Sequence, residues 1–265
     1  MSDDLILETR ELTKEFKGFV AVDSVNLRVR RGSIHALIGP NGAGKTTCFN
    51  LLTTFLTPTS GRILFAGTDI TADRPGAIER TTPRRAIAPG VVRSFQISAV
   101  FAHLSVLENV RVALQRRLGT SFHFWKPESS LHSLDTRALE LLRQVDLEPY
   151  AAIPAVELSY GRKRALEIAT TLAMEPTLML LDEPTQGMGL EDVERIRALI
   201  KKVAADRTVL MVEHNMSVVA SIADTITVLA RGATLAEGPY AEVSRNPAVI
   251  EAYMGSAQTE LAGSH

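Results

Sequence analysis

Gly39-Pro40-Asn41-Gly42-Ala43-Gly44-Lys45-Thr46-Thr47 lies between an apolar run, Ile34-His35-Ala36-Leu37-Ile38, and a stretch with apolar residues at helical spacing, Cys48, Leu51, Leu52 and Phe55. The segment fits G-x-x-x-x-G-K-[ST] in the strand–loop–helix setting that the pattern requires. Glycines let the chain curl so that successive N–H groups face one anion, and the following helix adds the positive end of its dipole. In such a cradle Lys45 supplies a point charge for β- and γ-phosphates, and the Thr46 hydroxyl is a ligand for Mg²⁺. Thr57-Pro58 reads as the stop of the helix.

A phosphate loop does not by itself separate kinases, GTPases and motor ATPases. Downstream, Leu178-Met179-Leu180-Leu181-Asp182-Glu183 is an apolar strand that ends in two carboxylates. At the carboxyl end of a parallel strand Asp182 is suited to the Mg²⁺ shell, which leaves Glu183 to orient and deprotonate an attacking water.

The rest of the chain alternates in the same style. Leu5 to Leu12, Ala21 to Val29 and Arg62 to Phe65 read as strands with turns at Arg31-Gly32 and Ser60-Gly61. Val106 to Leu118 and Leu134 to Val145 read as helices, and Gly119 to Ser133, with Phe122, Phe124 and Trp125, as the linker between them. Helix Arg162 to Met174, strand Leu178 to Leu181, helix Val193 to Ala204 and strand Thr208 to Val212 follow. Helix Met216 to Ala223, strand Thr225 to Leu229 and a hairpin at Arg231-Gly232 complete the pattern. This alternation predicts an α/β fold with a largely parallel sheet, helices on both faces, and a helical insertion in the middle.

The 265 residues carry Lys+Arg 29 against Asp+Glu 30, so no overall basic field favours nucleic acid or anionic lipid. A single cysteine, Cys48, excludes an internal disulfide framework and a cysteine-based zinc cluster. The acidic start Met1-Ser2-Asp3-Asp4 lacks the order of a secretion signal, and no apolar run is long enough to span a membrane. A cytoplasmic protein is expected.

Leu158-Ser159-Tyr160-Gly161-Arg162, ahead of Asp182, resembles the signature motif of ATP-binding cassette (ABC) ATPases. With it, the chain from about Leu5 to Gly255 is similar to one nucleotide-binding subunit of an ABC transporter. The motifs stand in the family's order: Phe16, Gly39 to Thr47, Gln96 in Ser94-Phe95-Gln96, the signature, Asp182-Glu183, and His214 in Val212-Glu213-His214. The resemblance implies a RecA-like P-loop NTPase core with an N-terminal antiparallel β-subdomain and an inserted helical subdomain at about 97–165. Residues 1–255 would form a single ABC ATPase domain, and 256–265 a flexible tail. It further implies that ATP and Mg²⁺ are the cofactors. Phe16 would stack on adenine (Phe19 competes for the role), and Gln96 would touch Mg²⁺ or the lytic water. His214 would contact the γ-phosphate. Ser159 and Gly161 would face the γ-phosphate of ATP on a second subunit, identical or paralogous, with Ser159 able to cap the helix that follows.

Some positions depart from the family pattern. Tyr160 and Arg162 replace the commoner glycine and glutamine, Gly189 stands where the loop after Glu183 usually has aspartate, and Thr82 to Pro89 looks inserted. Ala102 to Val110, Tyr160 and the closing Glu251-Ala252-Tyr253-Met254-Gly255 are similar to ATPase subunits of branched-chain amino-acid importers. A lipid or lipopolysaccharide transport ATPase has the same core, and a soluble non-transport ABC ATPase is a more distant alternative. The importer reading implies integral membrane permease partners, an external solute-binding protein acting indirectly, no nucleic acid, and a peripheral place on the inner face of the membrane. Phe122, Phe124 and Trp125 then either face the permease or form a satellite core.

Overall fold

A computed structural model describes residues 4–71, 91–94, 100–118 and 134–262. The chain divides into two compact units, Met1–Arg80 with Ala204–His265, and Thr81–Val203. The first unit opens with β1 (Leu5–Phe16), β2 (Phe19–Val25), β3 (Arg28–Arg30), β4 (Ile34–Ile38), α1 (Lys45–Leu52), β5 (Ser60–Phe65) and β6 (Thr68–Asp69). The second holds β7 (Val91–Ser94), α2 (Val106–Leu118), α3 (Asp135–Gln144), α4 (Tyr160–Ala173), β8 (Leu178–Asp182) and α5 (Leu190–Ala204). The chain then returns to the first unit with β9 (Thr208–Val212), α6 (Met216–Ile222), β10 (Thr225–Ala230), β11 (Ala233–Gly238), α7 (Tyr240–Val243) and α8 (Pro247–Ala262).

In the first unit β4 is buried along its whole length. It pairs in parallel with β9 on one side and β10 on the other, and β10 pairs antiparallel with β11 across the Arg231-Gly232 turn. Burial on both faces explains the unbroken apolar run that the sequence shows there. A separate antiparallel sheet runs β2-β1-β5-β6, with β3 also on β1. The single strand expected over Ala21 to Val29 is two strands. β2 pairs with the far end of β1, Leu12 to Phe16, whereas β3 pairs with Leu5 to Glu8. Asn26 fills the break: its Oδ1 accepts from the Glu11 N–H at 2.9 Å, and its Nδ2 donates to the Glu11 carboxylate at 2.7 Å.

Two other boundaries differ from the sequence reading. α1 stops at Leu52, before Thr57-Pro58, because the Thr53 hydroxyl donates back to the Phe49 carbonyl at 3.0 Å and Thr54 turns left-handed at φ 56°. Phe55 therefore leaves the apolar face and is exposed. At the other end of the chain α8 continues through Ala262, into the residues read as a tail. Alanine, glutamine, glutamate and leucine there are all good helix formers.

In the second unit β7 and β8 pair in parallel, Ser94 opposite Leu181. α2 spans the residues expected. Its start is a reciprocal cap: the Ser105 N–H donates to the Glu108 carboxylate at 2.7 Å, and the Glu108 N–H donates to the Ser105 hydroxyl at 3.2 Å. The Thr82–Pro89 segment and the linker aromatics Phe122, Phe124 and Trp125 lie outside the described residues.

Across β4, β10 and β11 runs a polar chain that starts at buried His35 and Thr227 and ends at exposed Glu237. His35 Nε2 and the Thr227 hydroxyl are 2.8 Å apart, and that hydroxyl donates to the Glu237 carboxylate at 2.7 Å. With the hydroxyl proton committed to Glu237, His35 Nε2–H is the donor and the ring is neutral. Burial pushes the His35 pKa down from 6.5 to about 4. Between those values the unfolded chain binds the proton and the folded one does not, so stability falls as pH drops below 6.5. From pH 6.5 to 5 this group is expected to cost about 1.5 kcal/mol. Thermal unfolding of the protein and of His35→Gln across that range checks it: the variant should lose less stability on acidification. An equal loss in both would be the contrary result. Cys48, also fully buried, has its thiol pushed up to about 12 by burial, which makes it inert rather than a redox group.

Candidate functional site

The loop after β4 is built around close backbone approaches. A Cβ on Gly39 would stand 2.2 Å from the Leu229 carbonyl oxygen, and one on Gly44 would stand 2.3 Å from that of Ala21. Gly44 is the N-cap of α1 with φ 95°, brings no side-chain cap, and is followed by a first turn without acidic residues. An uncapped, positively poised helix start of this kind takes an anion. Lys45 is buried, and its Nζ donates to the carbonyls of Gly39 at 2.8 Å and Pro40 at 2.9 Å. The Ala43 N–H donates to the Pro40 carbonyl at 3.2 Å, and its carbonyl accepts from the Gly232 N–H at 3.0 Å. Asn41, Gly42 and Thr46 are exposed, and Pro40 and Thr47 half-buried.

Two more first-unit residues bear on this loop or on the nucleotide expected there. His214 is exposed just past β9. Its turn is fixed by buried Glu213, whose carboxylate accepts the N–H groups of His214 at 2.9 Å and Asn215 at 3.0 Å. Asn215 then caps α6 through the Ser217 N–H at 3.1 Å. Phe16 ends β1, 42% exposed and directly opposite Phe19, which is 67% exposed. Lys14 Nζ lies 5.1 Å from the Phe16 ring centroid. Neither ring belongs to the core, so both are candidates for stacking, with Lys14 already over the Phe16 ring and Phe19 the more exposed of the two.

Tyr253 had no role in the sequence reading beyond a likeness of the closing segment. On α8 its half-buried phenol takes a hydrogen bond from the Gly39 backbone, and burial pushes the phenol up to about 12. The last helix of the chain thus touches the first glycine of the loop. Only a long-range contact reveals this.

In the second unit Asp182 is buried at the end of β8. Glu183, half-buried, has a left-handed backbone at φ 45°. A non-glycine residue held there stores strain, which is common at functional positions. Arg164, buried on α4, holds this turn. Its Nη2 donates to the carbonyls of Asp182 at 2.8 Å and Glu183 at 2.9 Å, its Nε to Pro184 at 3.3 Å, and its Nη1 to Glu167 at 2.6 Å.

Ser159 occupies the N-cap position of α4 in extended conformation but makes no side-chain capping bond. The expected serine cap is therefore absent. At φ −60° and ψ 162° the exposed serine sits ahead of the helix without its hydroxyl closing back on it. Gly161 is buried, and a Cβ there would stand 2.4 Å from the Asp192 carboxylate. Arg162 stacks at 4.2 Å on the Tyr150 ring, which engages the guanidinium. Tyr160 is exposed. Gln96 lies outside the described residues.

Among the described residues no cluster of three or more His, Cys, Asp or Glu stands ready to hold a metal. This donor set fits Mg²⁺ carried by a nucleotide, since that ion keeps waters and phosphate oxygens and takes only one or two protein ligands. Among the described residues no helix is long and apolar enough to cross a membrane.

The ABC transporter family model matches residues 22–186, and a branched-chain amino acid ATP-binding cassette transporter model matches residues 233–258. The chain is 40% identical over 261 residues to the high-affinity branched-chain amino acid transport ATP-binding protein BraF of Pseudomonas aeruginosa, covering 95% of this chain and 98% of that one. It is 36% identical over 262 residues to LivG of Escherichia coli, with 95% and 98% covered. Among solved structures it resembles the ADP conformation of the cassette MJ1267 at 29% identity and TM-score 0.79, covering 95% of this chain and 99% of that one. It also resembles the dimeric post-hydrolysis state of MJ0796 bound to ADP and Pi at 27% identity and TM-score 0.70, with 88% and 98% covered. These neighbours share its mixed α/β core. The chain belongs to the ABC transporter family, as one of its nucleotide-binding, ATP-hydrolysing cassettes.

Proposed function

We propose that this cassette powers the import of branched-chain or related amino acids, working as a head-to-tail pair with a second cassette on the cytoplasmic face of a membrane permease. The match over residues 233–258 carries the solute branch of this reading. That segment spans β11 to α8 and includes Tyr253, which meets Gly39 in the phosphate loop. Relatives of nearly equal length whose names carry branched-chain amino acid transport support it.

In the proposed reaction residues Gly39 to Thr47 wrap the phosphates with backbone N–H groups, and Lys45 supplies the positive charge at the β- and γ-phosphates. Thr46 and Asp182, with Gln96, would be the protein ligands for Mg²⁺. That ion, when bound with ATP, neutralises charge on the phosphate oxygens. Glu183 accepts the proton of the attacking water, and His214 donates to the γ-phosphate as charge builds. Ser159 and the Gly161 backbone serve the ATP of the opposing cassette, and Phe16 or Phe19 stacks on its own adenine.

The decisive experiment is reconstitution of the complete transporter in vesicles with its permease and solute-binding protein. ATP hydrolysis, expected to be slow in the isolated chain, should rise when the binding protein carries leucine, isoleucine or valine. Stimulation by lipid or lipopolysaccharide, with none by these amino acids, would overturn the solute assignment and leave the cassette assignment standing.

A further inference from the structure

The buried guanidinium of Arg164 donates to at least four polar groups. It sits one turn into α4, the helix that begins at the signature, and its nitrogens reach three consecutive carbonyls, those of Asp182, Glu183 and Pro184. Glu167, buried on the same helix face, balances the charge through Nη1 at 2.6 Å. The planar fork gives several fixed directions at once, which a lysine cannot copy. The residue it grips, Glu183, holds a left-handed φ of 45° that its own chain would not prefer.

We propose that Arg164 is the positioning residue for Glu183. By donating to the carbonyls on either side of the strained residue it holds the left-handed turn, and so aims the carboxylate. It also fastens that turn to the helix whose first residues carry the signature. Arg164 touches neither nucleotide nor water in this scheme, and acts only through the main chain of Glu183. The inference rests on Glu183 being the proton acceptor.

The test uses the complete transporter and compares ATP turnover, KM for ATP, nucleotide affinity and thermal unfolding in Arg164→Lys, Glu183→Gln and the double variant. Lysine keeps the charge beside Glu167 but loses the fork. The expected result is a kcat lowered by about 10- to 100-fold with KM and nucleotide affinity unchanged. In the Glu183→Gln background the added lysine should lower the residual rate no further. R164M/E167M, which removes both charges from the core together, guards against misfolding and should show the same loss of kcat in a folded protein. A wild-type kcat in either folded Arg164 variant, or an equal further loss in the Glu183→Gln background, overturns the proposal. If Glu183→Gln itself turns over at the wild-type rate, the failure belongs to the base assignment instead.

Discussion

Lys45→Ala is expected to weaken ATP binding by about 30- to 1000-fold, ~2–4 kcal/mol. The side chain is buried, and Nζ is held across the loop by the carbonyls of Gly39 and Pro40. The charge is already held within the loop, and the attraction of a buried side chain is screened less than that of an exposed one. Alanine removes the charge and leaves those two carbonyls without this donor. Part of the loss therefore comes from a less ordered loop, the rest from the missing attraction. The loop also has supports that do not use Lys45: the Ala43 to Pro40 and Gly232 to Ala43 backbone bonds, and the close seats of Gly39 and Gly44. The fold should thus survive, with an unfolding midpoint near the parent's. Direct titration with ATP checks the affinity, and an unchanged dissociation constant would refute the phosphate-loop role. Turnover at saturating ATP should fall as well, because the same charge meets the phosphates in the transition state.

What the sequence could announce here depended on how local the physical cause was. The loop at 39–47 is legible because glycine, lysine and threonine at fixed spacing describe one backbone curl, and the unbroken run Ile34 to Ile38 describes a strand covered on both sides. The break between β2 and β3 was not legible. Alternation over Ala21 to Val29 does not say which length of β1 each half will pair with. The end of α1 was misplaced for a similar reason: threonine back-bonding at Thr53 competes with the helix before the proline is reached. Asp182 and Glu183 announce themselves as carboxylates at a strand end. Arg164 and Tyr253 act through carbonyl and amide partners far away in sequence, and an arginine in an amphipathic helix or a tyrosine near the end of a chain gives no such signal. The missing capping bond at Ser159 likewise needed the side-chain geometry.

Glu183→Gln should separate chemistry from binding, which Lys45→Ala does not. The amide has the shape of the carboxylate but no useful basicity, so ATP turnover in the complete transporter is expected to fall by about 100- to 10,000-fold. The backbone of residue 183 should stay in place. Its carbonyl is held by Arg164 Nη2, those of Asp182 and Pro184 are held by the same guanidinium, and none of these bonds involves the Glu183 side chain. Glutamine tolerates the left-handed φ of 45° no worse than glutamate. Binding of Mg-ATP, which draws on Lys45, Thr46 and Asp182 in the proposed scheme, should therefore remain within a few-fold of the parent, and two cassettes closed on ATP should no longer be released by hydrolysis. Size-exclusion chromatography with ATP and Mg²⁺ is expected to show a dimer for the variant, while the parent returns to monomer as ATP is consumed. Turnover at the parent rate would remove Glu183 from the base role. Loss of turnover together with loss of ATP affinity would show instead that the carboxylate holds the nucleotide or its metal. The proton would then have to leave the attacking water by another route, with His214, exposed beside the turn fixed by Glu213, the first group to examine.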